Sequence, residues 1–204
     1  MINCSGGRFP TFFVGTTKCT LLYKGGITMS VIEENNAKQL NIVGQDEDTV
    51  DHNYAVILAG GHGTRLFPLS YDERPKQFVS VNGEGTLIQN TVERFKKIGI
   101  KATHIIIITT DDNQTELAHE QVDDLGILSQ NVYQLNPHYG YAGAMVKAAQ
   151  FISKIDKDAI IVNSPSDQLI VLNDDFIETV RLAIKTASHG VPTIIGVKIN
   201  NLTS

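Results

Sequence analysis

Residues 54–78 read YAVILAGGHGTRLFPLSYDERPKQF. The opening Tyr-Ala-Val-Ile-Leu-Ala is a nearly continuous apolar run, the pattern of a short strand buried on both faces of a parallel sheet. Gly60, Gly61 and Gly63 then break it, and Thr64 and Arg65 follow at once. Glycine lets a backbone come close to a neighbour and turn its N–H groups outward, and the natural guest of such a loop is a phosphate chain. Arg65 and Lys76 flank a stretch holding Pro68 and Pro75. Those prolines exclude one regular helix and allow both cations to converge on one anion. Two common phosphate loops fail to match. A Walker-type loop needs Lys-Ser or Lys-Thr after the last glycine, where this chain has Thr64-Arg65, and a dinucleotide fingerprint needs a glycine three positions after its second one.

Downstream, residues 77–81 read as a short strand ended by the turn Asn82-Gly83. Thr86 with Gln89 predicts a capping box. Leu87, Ile88, Val92, Phe95 and Ile98 then keep helical spacing up to a stop at Gly99. Strands are expected over 104–109, 131–135, 159–163 and 192–198, and helices over 113–126, 141–155 and 173–188. Strands alternating with helices imply an α/β fold built on a doubly wound, mostly parallel sheet. Ligands collect at the carboxyl ends of such strands, so the loops 60–76, 136–143 and 164–167 are expected to face one crevice.

At 204 residues and 42% hydrophobic content, the chain can form one α/β domain with a proper core. A net charge of −5 argues against nucleic acid or an anionic membrane as a general partner. No apolar run approaches the ~20 residues of a membrane span. Cys4 and Cys19 are the two cysteines, which gives neither a metal spacing nor a disulfide framework and favours a reducing, cytoplasmic compartment. Oligomeric state is left open, a homo-oligomer included. Residues 1–28 contain Arg8, Lys18 and Lys24 and no acid, and Met29-Ser30 reads as an ordinary start. They are expected to be a disordered leader or upstream extension outside the fold, followed by an acidic lead-in over 29–53 and the domain proper over 54–204.

Asp167 follows the strand expected over 159–163, in a Ser-Pro-Ser-Asp-Gln segment. A carboxylate there suits either a turn or cap, or a Mg²⁺ ion whose other positions are filled by water and phosphate oxygens. His138, Tyr139 and Tyr141 suit a surface loop or contact with a base. Asp111-Asp112 reads as a helix N-cap run rather than a metal pair. His52, His104, His119 and His189 are scattered without ligand spacing, and His62 receives no catalytic role.

The ordered run Gly-Gly-x-Gly-Thr-Arg-Leu-x-Pro-Leu, closed by Pro75-Lys76, resembles the signature of the sugar-nucleotide pyrophosphorylases. Gln77-Phe78 and Phe67-Pro68-Leu69-Ser70 are most similar to its mannose-1-phosphate guanylyltransferase branch. The resemblance covers about residues 54–200. It implies a Rossmann-like nucleotidyltransferase fold and transfer of a nucleotidyl group from a nucleoside triphosphate, GTP favoured, to a sugar-1-phosphate, mannose-1-phosphate favoured. It also implies nucleotide binding by Leu58, Ala59, Gly60, Gly61, Gly63, Thr64, Arg65 and Lys76. Arg65 would hold the β- and γ-phosphates, Lys76 would neutralise charge near the α-phosphate, and Asp167, matching the family's Pro-x-Asp-His aspartate, would carry Mg²⁺.

Two departures stand out. Gln168 replaces the family histidine, and residues 136–143 lack the arginine, asparagine and proline of Arg-Asn-Thr-Ala-Pro, which unsettles the base preference. Resembling proteins continue into a Gly-Tyr-Gly-Tyr sugar segment, so the expectation is a partial catalytic domain that binds nucleotide and scarcely turns over alone. Three alternatives are kept: a cytidylyltransferase of the isoprenoid pathway, a molybdenum-cofactor guanylyltransferase, and a non-catalytic nucleotide-binding or regulatory homologue.

Overall fold

The computed structural model describes residues 12–16, 52–62, 66–170 and 172–196. In chain order they form β1 (Phe12–Thr16), β2 (Asn53–Leu58), α1 (Leu87–Ile98), β3 (Ile105–Thr109) and α2 (Asp112–Val122), then β4 (Val132–Gln134), α3 (Gly140–Ile155), β5 (Ile160–Pro165), α4 (Asp174–Ser188) and β6 (Thr193–Ile195).

The strands make one sheet in the order β4-β3-β2-β5-β1-β6. β4, β3, β2 and β5 run parallel. The nearly continuous apolar sequences of β2 and β3 follow from having both faces covered. Ala55, Ile57, Ile105 and Ile107 point into a core shared with Phe78, Ile88, Val92 and Phe95. The alternate residues Val56, Ile106, Ile108 and Ile161 pack with Ala148 and Ile152 of α3 on the other face. Phe95 is fully buried, and truncating such a side chain to alanine costs about 3–5 kcal/mol.

Helix ends obey local chemistry. Thr86 and Gln89 form the capping box, and Gly99 closes α1 at φ 112°. Asp111 caps α2 by accepting from the Gln114 amide, which settles Asp111-Asp112 as a cap, and Asn173 caps α4 by accepting from Phe176 N–H.

From β2 the chain runs outward through β3 to β4, then returns to β5 on the opposite side of β2. The order therefore reverses between β2 and β5. In open α/β sheets the crevice outside the carboxyl ends at that reversal is where ligands bind.

Two expectations are corrected. Residues 77–81 are not a strand: a 3₁₀ turn spans Lys76–Phe78, and a lone bridge joins Ser80 to Thr86. Gln77 and Phe78 are consecutive and both buried, which a strand with one face in the core does not provide. Part of the expected leader also belongs to the sheet. β1 lies antiparallel between β5 and β6, with Phe13 opposite Asn163 and Phe12 opposite Ile195. Pairing with strands far away in sequence overrides a local composition that carries no strand periodicity. The rest of residues 1–28, and the acidic lead-in up to residue 51, lie outside the described residues.

Candidate functional site

β2 ends at Leu58, and the glycine turn that follows is held by side chains from elsewhere in the chain. Gln77 Nε2 donates to the carbonyls of Ala59 at 2.7 Å and Gly61 at 2.8 Å. Thr110 Oγ1 donates to the Gly60 carbonyl at 2.9 Å. One residue earlier, the Leu58 carbonyl accepts from both Ser166 N–H at 3.1 Å and Ser166 Oγ at 2.7 Å, tying the end of β2 to the turn after β5.

That turn carries Asp167. Its carboxylate forms an ion pair with Lys76 Nζ, both side chains being partly exposed, at 18% for Lys76 and 29% for Asp167. The two charges read from the sequence therefore meet across the switch point between β2 and β5. Behind them, Arg94 of α1 is 3% exposed. It donates to Thr91 Oγ1 at 2.8 Å and to the Gln168 carbonyl at 3.4 Å, anchoring the residue after Asp167. Burial pushes the Arg94 guanidinium down to about 10, so it stays a cation at neutral pH.

The third wall comes from the segment after β4. Asn136, Tyr139, Gly140 and Tyr141 join Gly60, Gly61, Lys76, Ser166 and Asp167 around a crevice of about 320 Å³, within the size range of small-molecule sites. Tyr141 is 55% exposed, and its hydroxyl is bonded to the Asn163 side chain of β5. Tyr139 is 48% exposed, with Lys147 Nζ 5.2 Å from its ring centre. The three loops expected to share a crevice do so.

Leu58, Gly60, Gly61, Lys76 and Asp167 line it. Ala59 does not: it is 1% exposed, its N–H is bonded to the Ile108 carbonyl at 2.7 Å, and its own carbonyl is held by Gln77. Gly63, Thr64 and Arg65 lie outside the described residues. The histidines have local roles. His52 Nδ1 lies 2.8 Å from Asp156, His104 stacks on Tyr54 at 4.4 Å, and His189 Nδ1 sits 2.8 Å from the Lys185 carbonyl. Sequence reasoning missed Thr110 altogether and treated Gln77 as a family marker. The signal for both was position: one directly follows Lys76, and the other directly follows β3 at the same end of the sheet as the glycine turn.

A Mg²⁺ ion fits this donor set in one way. Among the described residues no group of three or more His, Cys, Asp or Glu side chains is placed to hold a metal. Among the described residues that line the crevice Asp167 is the one carboxylate, and one or two carboxylates with water and phosphate oxygens is how Mg²⁺ is commonly held. No described helix is long and apolar enough to cross a membrane.

Comparison with known proteins bears on the family and the fold. A protein named mannose-1-phosphate guanylyltransferase from Sinorhizobium fredii is 34% identical over 143 residues, which is 70% of this chain and 28% of that protein. A Salmonella muenchen protein of the same name is 32% identical over 145 residues, 70% of this chain and 30% of the relative. The alginate biosynthesis protein AlgA of Pseudomonas aeruginosa is 29% identical over 142 residues, again 70% of this chain, and 29% of that protein. This chain thus spans about 30% of the length of these relatives. A solved Thermus thermophilus structure, titled a mannose-1-phosphate geranyltransferase, superposes with a TM-score of 0.53 at 23% identity, covering 67% of this chain and 38% of that one. It supports the α/β fold. The family model described as nucleotidyl transferase matches residues 54–204, the whole of the parallel sheet and its crevice, and the chain belongs to that family.

Proposed function

We propose that this chain binds a nucleoside triphosphate together with Mg²⁺ and serves nucleotidyl transfer to a sugar-1-phosphate, with GTP and mannose-1-phosphate as the favoured pair and GDP-mannose for polysaccharide biosynthesis as the product. The observation that carries the reading is the meeting of Gly60, Gly61, Lys76 and Asp167 at the point where strand order reverses. Names of the relatives favour guanylyl transfer to mannose-1-phosphate. A cytoplasmic setting is part of the same proposal.

In the reaction, a sugar-phosphate oxygen forms a bond to the α-phosphorus, the bond from that phosphorus to its bridging oxygen breaks, and pyrophosphate leaves with the electron pair. Such chemistry asks a protein mainly for positioning and charge neutralisation. The Gly60 and Gly61 backbone would lie against the phosphates, Lys76 would face the α-phosphate, and Arg65 the β- and γ-phosphates. Asp167 would hold Mg²⁺, which supplies charge neutralisation on the phosphate oxygens when bound. Burial of Arg94 against the Gln168 carbonyl keeps the Asp167 turn in place.

A second reading, a nucleotide-binding or regulatory homologue without turnover, is favoured by one observation: residues 136–143 lack the family arginine, and exposed Tyr139 and Tyr141 stand in their stead. Calorimetric titration with GTP, ATP and CTP, with Mg²⁺ and then with a chelator, tests the binding site; GTP should bind best and lose affinity when metal is removed. No binding of any of the three would overturn both readings. Pyrophosphate release with mannose-1-phosphate then separates an enzyme from a binder.

A further inference from the structure

We infer that Gln77 and Thr110 are positioning residues for the phosphate-binding turn: together they aim the amides of Gly60, Gly61 and His62, and the Thr110 methyl is what keeps residue 60 a glycine. The inference rests on the reading that an anion lies against this turn. Three consecutive carbonyls, those of Ala59, Gly60 and Gly61, each accept a hydrogen bond from one of these two side chains. In a planar trans peptide the C=O and the following N–H point in opposite directions. Each carbonyl that is drawn in therefore turns the next amide away from its captor, and these amides are those of Gly60, Gly61 and His62. Among the described residues none accepts a hydrogen bond from these three N–H groups.

Gln77 suits the task because a carboxamide nitrogen has two hydrogens, one for each carbonyl, and carries no charge. It is 1% exposed, so its geometry is fixed by packing as well as by bonding. Thr110 is set by Gln114, which is fully buried and whose Oε1 accepts from the Thr110 N–H at 3.1 Å. The Thr110 hydroxyl also lies 3.0 Å from Gln114 Oε1, so the buried glutamine fixes the rotamer that sets the hydroxyl 2.9 Å from the Gly60 carbonyl, and its single hydrogen is shared between the two acceptors. The threonine methyl has a separate effect. A Cβ on Gly60 would overlap Thr110 Cγ2, whereas a Cβ on Gly61 would meet no heavy atom of the described residues within 4 Å. Glycine at 60 is thus required by the protein's own packing, while at 61 the space is left to whatever enters the crevice.

The test measures dissociation constants of the full chain for Mg²⁺-GTP and for inorganic tripolyphosphate. Gln77→Met keeps the buried volume and removes both hydrogen bonds; about tenfold or greater weakening of both probes is expected. A Val122→Ala variant of α2, destabilised far from the crevice, serves as the control for stability loss and should retain wild-type affinity. Gly60→Ala should weaken binding by about thirtyfold, and Thr110→Ser, which keeps the hydroxyl and drops the methyl, by about threefold. The double variant Gly60→Ala/Thr110→Ser should recover to within about fivefold of wild type. Wild-type affinity in Gln77→Met, or a double variant no better than Gly60→Ala, overturns the inference while leaving the site in place. A wild-type chain that binds neither probe overturns the site itself and the inference with it.

Discussion

Two walls of the crevice are built on different principles. On the β2 side three successive carbonyls are fastened by Gln77 and Thr110, and the Leu58 carbonyl before them is fastened by Ser166. On the β4 side the segment past the strand is fastened mostly within itself, with Tyr139 N–H on the Asn136 carbonyl at 3.1 Å. His138 N–H reaches the Asn136 side chain at 3.0 Å, Tyr141 meets Asn163, and Tyr139 and Tyr141 expose about half their surface. A triphosphate offers every nucleotide the same oxygens, so a wall that meets it gains from being fixed in advance. Bases differ, and the wall free to vary is the one that departs from the guanylyltransferase pattern.

That contrast can be attacked from both sides. The largest effect is expected from Lys76→Ala, which removes the proposed phosphate cation and leaves Asp167 facing the anion. GTP affinity should fall by about 1.5–3 kcal/mol by calorimetry, with the thermal midpoint little changed because the lost ion pair is partly exposed. Unaltered affinity would remove Lys76 from the fixed wall. Next comes Gly61→Ala. Its new methyl meets no atom of the described residues, so the fold should be indifferent, while crowding of the bound phosphates should weaken GTP by about 1–3 kcal/mol. A drop in stability equal to the drop in affinity would mean that Gly61 answers to packing after all. Smallest is Tyr141→Phe. Losing its bond to Asn163 should lower stability by about 0.5–1.5 kcal/mol and narrow the preference for GTP over CTP, with tripolyphosphate affinity unmoved. If tripolyphosphate binding falls as well, the two walls are one unit and the contrast collapses.

Much of this was readable in the residues themselves. The glycine run and Asp167 sit just after apolar strand patterns and Lys76 directly follows Pro75, and local pattern is what a sequence shows best. Thr86, Gln89 and Gly99 likewise declared the ends of α1 through local chemistry. What stayed hidden depends on contacts between distant parts of the chain. Thr110 bonds to Gly60 across 50 positions, so nothing adjacent to Thr110 advertises its role. Gln77 lay in plain view, but the direction of its amide is decided by where the carbonyls of Ala59 and Gly61 turn. β1 was unreadable for the same reason. Five residues in an acid-poor stretch become a strand through pairing with β5 and β6, which lie more than a hundred residues further along.

The contact between Gly60 and the Thr110 methyl also orders the paths by which this turn can change over generations. A lineage that acquires alanine at 60 while threonine stands at 110 passes through a variant whose two side chains occupy the same space. A lineage that first exchanges threonine for serine keeps the hydroxyl on the Gly60 carbonyl and opens room for the later methyl. Alanine at 60 should therefore be found only where residue 110 lacks the methyl, with serine preceding alanine on any tree that contains both.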